Sequence, residues 1–316
     1  MNIAMLGVGG IGGYYAARLI EAGHDLTLVA RGKHLAAMQA DGLRVNHTDW
    51  AFHKPVTACT FEEFRQTRKP ADIDLICLAI KAQDTDQIAR ELRDWYGKSA
   101  QRPAVISLQN GVDNEILLAR QLGENTIVGA LCVGIGAHIT EPGVIESTGP
   151  ARIVMGIWPN QELAADGPAM SMINELFDAF SQAGVPTEIS DDIRRELWRK
   201  LIINNGVNPL SALTGLDTRT LSKDGDFSRI VLGLMLETVT AAKADGVELG
   251  EQAAHTMLAF MQDFDAIKTS MLVDKEKGRP LELDAISGAV LERSERLGRD
   301  APYTRLVHAL LKYQQG

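Results

Sequence analysis

Short apolar runs and amphipathic stretches alternate over residues 1–190. Several of the runs are apolar on both faces, as expected for parallel strands that helices cover on each side. The stretches between them have the spacing of amphipathic helices, for example over 11–22, 84–96 and 113–122. This alternation predicts βαβ units in a doubly wound sheet. The predicted strands are Ile3–Leu6, Leu26–Ala30, Ile73–Ile80, Ala104–Leu108, Thr126–Val133, Val144–Ser147 and Arg152–Gly156.

The pattern changes at Ser190-Asp191-Asp192, which predicts the N-cap and acidic first turn of a helix. Beyond this point helical spacing is interrupted by glycine and proline, and no strand-like alternation follows. The predicted fold class is therefore α/β. An N-terminal Rossmann-type doubly wound domain takes residues 1–190, and a C-terminal all-α domain takes residues 191–316. We expect the first to bind a cofactor and the second to bind substrate and carry catalysis.

Composition restricts the partners. The chain of 316 residues has 32 Lys and Arg against 41 Asp and Glu, which gives a formal net charge of −9. An acidic chain without a basic cluster argues against nucleic acid and anionic membrane as partners. No apolar run approaches the ~18–20 residues that span a bilayer. Three widely spaced cysteines without a CxxC pair fit a reducing compartment, so we expect a cytoplasmic protein that acts on a small molecule.

A G-x-G-x-x-G sequence at residues 7–12 lies between the first predicted strand and helix. In dinucleotide-binding folds the first glycine allows a tight turn, the second allows close approach of a pyrophosphate, and the third allows the helix to pack on the sheet. The helix start also presents free N–H groups to the phosphates. The alternative is a glycine-rich turn without a ligand. The residues predicted to bind the cofactor are Gly7, Gly9, Gly10, Ile11 and Gly12.

The end of the second strand indicates which dinucleotide is bound. NAD sites place an Asp or Glu there to bond the ribose 2′-OH, but this chain has Ala30-Arg31-Gly32-Lys33. Arg31 can form a bidentate pair with a 2′-phosphate, and Lys33 adds a second positive charge. We therefore predict NADP, and the alternative is a solvated basic turn.

Two further strands end in polar residues, Lys81-Ala82-Gln83 and Gln109-Asn110-Gly111. Ligands of doubly wound sheets bind beyond the carboxyl ends of the strands. We therefore expect Lys81 to contact the cofactor or an anionic substrate, and Asn110 to bond the nicotinamide ribose or the reacting group. The alternative for each is an ordinary turn residue, since Asn-Gly is a common turn dipeptide.

In the second half, Lys200, Asn204 and Asn208 are spaced i, i+4, i+8 and line one helix face among aliphatic neighbours. Pro209 predicts that the helix ends or kinks at Asn208. Desolvation lowers the pKa of a lysine, which suits a general acid that protonates a developing alkoxide. The two amides can hold a substrate oxygen. The alternative is a lysine that reaches solvent while its stem covers apolar surface.

A later segment holds Ser270 and Glu282. Taken alone, Ser270 is an ordinary helix-surface hydroxyl and Glu282 a favourable charge near a helix N-terminus, with Asp284 as the N-cap. The histidines are scattered without an HxxxH-type pair, so no metal site is predicted. No GxSxG sequence or activated cysteine indicates nucleophilic catalysis.

Together these motifs resemble the ketopantoate reductase family over nearly the whole chain. The matching elements are GVGGIG, K-A-Q, Q-N-G, W-R-K-L-I-I-N-N-G-V-N-P-L, T-S-M-L-x-D, L-E-L-D-A-I-S-G and T-R-L. The resemblance implies an NADP-dependent oxidoreductase acting on CH–OH, which reduces 2-dehydropantoate to (R)-pantoate on the route to pantothenate and coenzyme A. Its partner is then a small 2-oxo acid, and a homodimer is compatible with this interpretation.

The resemblance also implies roles for individual residues. Lys200 is the general acid, and Glu282 bonds the substrate hydroxyl and positions Lys200. Asn204 and Asn208 bind substrate polar groups, and Ser270 contacts the carboxylate side. Gly7, Gly9, Gly12 and Arg31 hold NADPH, while Lys81 and Asn110 line its nicotinamide end, near cofactor and substrate.

The chain departs from the family pattern at four positions. Leu281, Ser287 and Tyr303 stand where members often have Thr, Asn and Asn, and Gly10 is an extra glycine. The first three concern the substrate end of the site. Reduction of a different 2-oxo acid therefore stays open, as does a non-catalytic NADP(H)-binding sensor.

Overall fold

The structure, a computed structural model, describes residues 1–160, 168–263 and 265–315. It divides into two compact units. The first, called the α/β unit, comprises Met1–Gln109 and Asn114–Ile193. The second, called the helical unit, comprises Asn110–Asp113 and Arg194–Gly316. A four-residue segment from the first half of the sequence thus belongs to the helical unit.

The α/β unit contains two sheets. Its strands are β1 (Asn2–Leu6), β2 (Asp25–Val29), β3 (Leu43–His47), β4 (Trp50–Lys54), β5 (Thr57–Cys59), β6 (Leu75–Leu78), β7 (Ala104–Ser107), β8 (Ile127–Val133), β9 (Gly136–Glu141), β10 (Val144–Thr148), β11 (Arg152–Ile157) and β12 (Thr187–Ile189). Its helices are α1 (Gly10–Glu21), α2 (Gly32–Asp41), α3 (Phe61–Thr67), α4 (Thr85–Tyr96), α5 (Asn114–Leu122) and α6 (Pro168–Gln182), with 3₁₀ turns at Pro70–Asp72, Ala82–Asp84 and Glu124–Thr126.

The larger sheet has the strand order β12-β11-β8-β7-β6-β1-β2-β5. Its neighbouring strands are parallel except for β8 and β11, which are antiparallel. In the central strand β1, positions 3–6 are all at most 1% exposed, because helices cover both faces of the sheet. The predicted Rossmann-type doubly wound domain is confirmed.

The smaller sheet, in the order β4-β3-β10-β9, was not predicted. The sequence places Val144–Ser147 among the strands of the doubly wound sheet, whereas β10 pairs with β3 and β9 instead. The strands β3 and β4 form a hairpin in which His47 faces Trp50 across a two-residue turn. Such short strands, exposed on one face, give a weak signal beside the long apolar runs.

The helical unit confirms the predicted all-α architecture over its described residues. The prediction was an end or a kink at Asn208, and the end is wrong, because the long helix α7 continues through Pro209. Residues 205–212 are all buried, and this packing offsets the hydrogen bond that proline cannot make. In the part of the chain described, no helix is long and apolar enough to span a bilayer. The elements are α7 (Ile193–Thr214), α8 (Thr218–Lys223), α9 (Gly225–Ala242), α10 (Glu251–Asp263), α11 (Ser270–Glu276), α12 (Ala289–Arg296) and α13 (Pro302–Gln315), with a 3₁₀ turn at Lys243–Asp245 and a π-helical turn at Asp284–Gly288.

Candidate active site

The glycine loop joins β1 to α1. Gly7 has φ of +95°, and its N–H donates to the carbonyl oxygen of Val29 at 3.0 Å. A Cβ at Gly7 would lie 2.7 Å from the backbone of Ala79, and a Cβ at Gly12 would lie 2.0 Å from the carbonyl oxygen of Gly7. Both positions therefore require glycine for the turn and for close packing of helix on sheet.

Gly9 differs from these two glycines. It caps the N-terminus of α1, and a Cβ placed on it would have no atom of the described residues within 4 Å. The first-turn N–H groups of a helix have no intrahelical acceptor, so those of α1 lie beside this open space. The loop therefore fits the pyrophosphate of a dinucleotide, which needs backbone N–H donors and no side chain in its path.

The extra glycine of the loop, Gly10, has a local structural cause. A Cβ at Gly10 would lie 2.1 Å from the carbonyl oxygen of Ala137 in β9. The small sheet thus lies against the start of α1, and only a residue without a side chain fits between them. Gly10 is explained by packing within the α/β unit and carries no information about the substrate.

The basic turn after β2 lies at the same sheet edge as the glycine loop, because Val29 pairs in register with Leu6. Arg31 caps the N-terminus of α2 with extended backbone, and Gly32 follows with φ of +62°. Arg31 and Lys33 are both exposed. Their charges are therefore available to an anion at this edge.

His34, which the sequence did not single out, connects two parts of the α/β unit. It lies in the first turn of α2, and its half-buried ring accepts the Gly143 N–H through Nδ1 at 2.9 Å. Burial lowers the pKa of His34, because it disfavours the charged ring. The neutral ring therefore joins α2 to the β9–β10 turn.

His34 should make the stability of the protein pH-dependent. Since its folded pKa lies below the ordinary 6.5, the unfolded chain binds more protons near and below that pH. The free energy of unfolding should fall as the pH falls from about 6.5 toward the folded pKa. In His34→Gln, whose amide oxygen can accept the Gly143 N–H, the free energy of unfolding should fall less over the same pH range. Urea unfolding of wild type and His34→Gln at pH 7.5 and 5.5 measures the two losses. His24 and His308 contribute equally to both proteins, so their contributions cancel when the losses are compared. Equal losses would contradict this role.

A buried polar network fixes the ends of β6 and β7. Gln109 is 4% exposed, and its amide donates to the Ile80 carbonyl oxygen at 3.1 Å and to Thr85 Oγ1 at 2.8 Å. Thr85 in turn donates to Asn114 Oδ1 at 2.9 Å. Half-buried Lys81 directly follows Ile80, so this network sets the backbone that carries it. Within Q-N-G the motif singles out the asparagine, and nothing in the local sequence indicates this role of the glutamine.

Asn110 lies in the helical unit together with Lys200, Asn204, Asn208 and Glu282. The sequence instead predicts Lys81 and Asn110 at one edge of the same domain. The structure assigns Lys81 to the α/β unit, with the glycine loop and Arg31, and Asn110 to the helical unit. The predicted cofactor residues are thus divided between the two units.

The Lys200-Asn204-Asn208 face is carried by one continuous helix, α7. Lys200 and Asn204 are half-buried, and Asn208 is 7% exposed. The neighbouring Asn205 has a different role, since its buried amide donates to Thr238 Oγ1 at 3.0 Å and to Thr304 Oγ1 at 3.1 Å. Lys200 is therefore partly withdrawn from solvent, as its proposed chemistry requires.

Ser270 and Glu282 lie in the same unit. Ser270 is exposed at the first position of α11, which Thr269 caps. Glu282 is half-buried and precedes the π-helical turn. Asp284 is the first residue of that turn, so the prediction that it caps a helix is wrong. Irregular turns of this kind are frequent at functional sites.

Among the described residues no group of three or more His, Cys, Asp and Glu side chains is placed to hold a metal ion. The residues that the helical unit presents for chemistry are a lysine, amides, a carboxylate and a hydroxyl, and the α/β unit presents the glycine loop. This set suits proton transfer and hydrogen bonding to a polar substrate.

Comparison with known proteins agrees with this arrangement. Residues 3–160 match the family model described as ketopantoate reductase PanE/ApbA, and residues 192–315 match its C-terminal counterpart. A 2-dehydropantoate 2-reductase of Mesorhizobium japonicum is 32% identical, over 99% of this chain and 97% of that protein. The crystal structure of 2-dehydropantoate 2-reductase from Geobacter metallireducens GS-15 superposes with a TM-score of 0.85, at 29% identity, over 99% of this chain and 100% of that one.

The fold extends beyond one substrate. The ternary structure of D-mandelate dehydrogenase with NADH and anilino(oxo)acetate matches with a TM-score of 0.86 at 21% identity, over 100% of this chain and 98% of that one, which shows a shared fold alone. The fold and the glycine loop define a pyridine-nucleotide-dependent oxidoreductase. More narrowly, the chain belongs to the ketopantoate reductase family.

Proposed function

We propose that the protein reduces 2-dehydropantoate to (R)-pantoate with NADPH, a step toward pantothenate and coenzyme A. The family and the name of the 32% identical relative support the substrate. The observation that carries the proposal is the face of α7, where half-buried Lys200 and Asn204 precede buried Asn208. We assign cofactor binding to residues 1–190 and substrate binding with catalysis to residues 191–316.

The cofactor would be held by backbone and by cations. The N–H groups of Gly10, Ile11 and Gly12 would bind the pyrophosphate, with Gly7 and Gly9 shaping the loop. Exposed Arg31 would pair with the 2′-phosphate, and Lys81 would contact the nicotinamide end. The reduced nicotinamide, when bound, supplies the hydride for the C2 carbonyl carbon.

Lys200 would supply the proton. As the C2 carbonyl becomes an alkoxide, its oxygen takes a proton from the Lys200 ammonium group, and the lysine is left neutral until solvent reprotonates it. Asn204 and Asn208 would donate to substrate oxygens, and Glu282 would bond the nascent hydroxyl and orient the lysine. Ser270, exposed at the start of α11, would bind the carboxylate side of the substrate.

A labelling experiment tests this chemistry. Purified protein given 2-dehydropantoate and NADPH deuterated at C4 should yield pantoate with deuterium at C2. Because only one face of the nicotinamide is used, one of the two C4 isotopomers should transfer the label and the other should not. A non-catalytic NADP(H) sensor would bind the cofactor and form no product, so binding without label transfer refutes the proposal.

A different 2-oxo acid is the alternative substrate. Leu281 and Ser287 are two of the departures from the family pattern. Both side chains are buried, and both residues are close to Glu282 along the sequence. The Ser287 hydroxyl has no hydrogen-bond partner among the described residues, and Leu281 offers no polar group at all. Both substitutions leave less hydrogen bonding for a hydroxylated substrate than the Thr and Asn of the family pattern would.

A further inference from the structure

Arg293 in α12 is the most deeply buried cation of the described part of the helical unit, at 5% exposure. Its Nη2 donates to Asp113 Oδ1 at 2.5 Å, and its Nε donates to Asp245 Oδ2 at 3.1 Å. A third carboxylate, Glu292, lies 3.2 Å from Nη1. A buried guanidinium with this many carboxylates is a fixed structural centre.

The positive charge of Arg293 is permanent. Burial acts to lower the pKa of Arg293, but the hydrogen bond and charge of Asp113, with Asp245 and Glu292, outweigh it and raise that pKa. The guanidinium carbon also lies 6.0 Å from the Trp198 ring centroid, within cation–π range. The guanidinium therefore keeps its positive charge at every pH at which the protein is folded.

Asp113 ends the four-residue segment Asn110–Asp113, the part of the first half that belongs to the helical unit. Gly111 in this segment has φ of +105°, and Val112 is 3% exposed. Of the ion pairs that Arg293 forms with Asp113, Asp245 and Glu292, the one with Asp113 is the shortest. It ties the segment to a residue 180 positions later in the chain.

We infer that Arg293 is a positioning residue for Asn110, which it keeps in the helical unit by holding Asp113. The inference rests on the proposed function, in which Asn110 binds cofactor and substrate. Arg293 itself contacts neither cofactor nor substrate in the proposed function. Its carboxylate partners leave it no free edge for a substrate anion, so its effect on catalysis is exerted through the segment.

Arg296 provides a matched control. It lies one turn further along α12 and binds Asp245 Oδ1 at 3.2 Å, as Arg293 binds the other oxygen, but the structure shows no bond from Arg296 to Asp113. Arg293→Met and Arg296→Met therefore both remove a cation from Asp245, and only the first releases Asp113. Arg293→Lys keeps the positive charge but has fewer hydrogen-bond donors, and it replaces Arg293→Met in the experiment if the Met variant does not fold.

Hydrogen exchange followed by mass spectrometry tests the inference without relying on activity. In Arg293→Met, or in Arg293→Lys if needed, amides of a peptide covering 110–113 should exchange about tenfold faster than in wild type, while those of α10 should not change. Arg296→Met should leave the 110–113 peptide near wild type. Unchanged exchange in the Arg293 variant, or equal acceleration in both Met variants, would overturn the inference.

Kinetics then separates positioning from a general structural role. Arg293→Met and Asn110→Ala should each lower kcat/KM by about tenfold, and the double variant should lose no more than either single one, because both changes remove the same contact. Multiplied losses would overturn the inference. An unchanged kcat/KM in Asn110→Ala would also overturn the inference. That result would leave the reductase function itself standing, because the Lys200 variants test that function separately.

Discussion

Replacing Lys200 with alanine is expected to lower kcat by about 10²–10⁴-fold, the usual contribution of a positioned general acid. The reason is the place of Lys200 on α7, where it is half-buried and heads the face that continues with Asn204 and Asn208. The affinity for NADPH should change little, because the predicted phosphate-binding residues lie in the α/β unit. Steady-state kinetics and fluorescence titration with NADPH measure the two quantities.

Two variants control for loss of charge near the site. Arg199, the preceding residue, is exposed and pairs with Glu196 at 3.0 Å, so Arg199→Ala should keep kcat within about threefold of wild type, as expected for a surface ion pair. Lys200→Arg keeps the positive charge but cannot give up its proton near neutral pH, and its kcat should be nearly as low as that of Lys200→Ala. Full activity in Lys200→Arg would assign the residue to charge stabilisation and not to proton donation.

Replacing Arg31 with alanine is expected to weaken NADPH binding by about 10–100-fold. Hydrogen bonds to charged groups contribute roughly 1.5–3 kcal/mol each, and about 1.4 kcal/mol is tenfold in affinity. Arg31 stands exposed at the N-cap of α2, at the sheet edge that carries the glycine loop. Isothermal titration with NADPH and with NADH measures the effect.

NADH is the internal control, since it lacks the 2′-phosphate and should lose less than about threefold in affinity, the scale of a weak exposed contact. Lys33→Ala removes a second exposed cation from the same turn and should weaken NADPH binding less than Arg31→Ala, because a lysine forms no bidentate pair. Equal losses for NADPH and NADH in Arg31→Ala would refute the 2′-phosphate assignment and leave the choice of cofactor open.

The parts of the fold that the sequence predicted are those with a local signal. The glycine loop could be identified because strand, turn and helix follow one another within residues 2–21. The inner strands β6, β7 and β8 could be located because both of their faces are apolar and buried. The spacing of Lys200, Asn204 and Asn208 also identified a helix face, because helical periodicity can be recognised within a short stretch of sequence.

The parts that were missed depend on contacts between distant residues. The small sheet pairs β3 with β10, about one hundred residues apart, as in the Asn46–Glu146 hydrogen bond with a separation of 100. Asn110–Asp113 belongs to the helical unit, and its ion pair with Arg293 joins residues 180 positions apart, which no local pattern relates. Continuation of α7 through Pro209 depends on burial of that turn by the rest of the unit. Local propensity predicted the opposite, and tertiary packing outweighed it.

The most direct test of the central claim is the rate of NADPH oxidation by the purified protein with 2-dehydropantoate and with a panel of other 2-oxo acids. We predict that kcat/KM for 2-dehydropantoate exceeds that for every other acid by about tenfold or more, a difference of about 1.4 kcal/mol in transition-state binding. A tenfold preference for another acid would contradict the proposed substrate. No oxidation with any of them, despite NADPH binding, would contradict the reductase function itself.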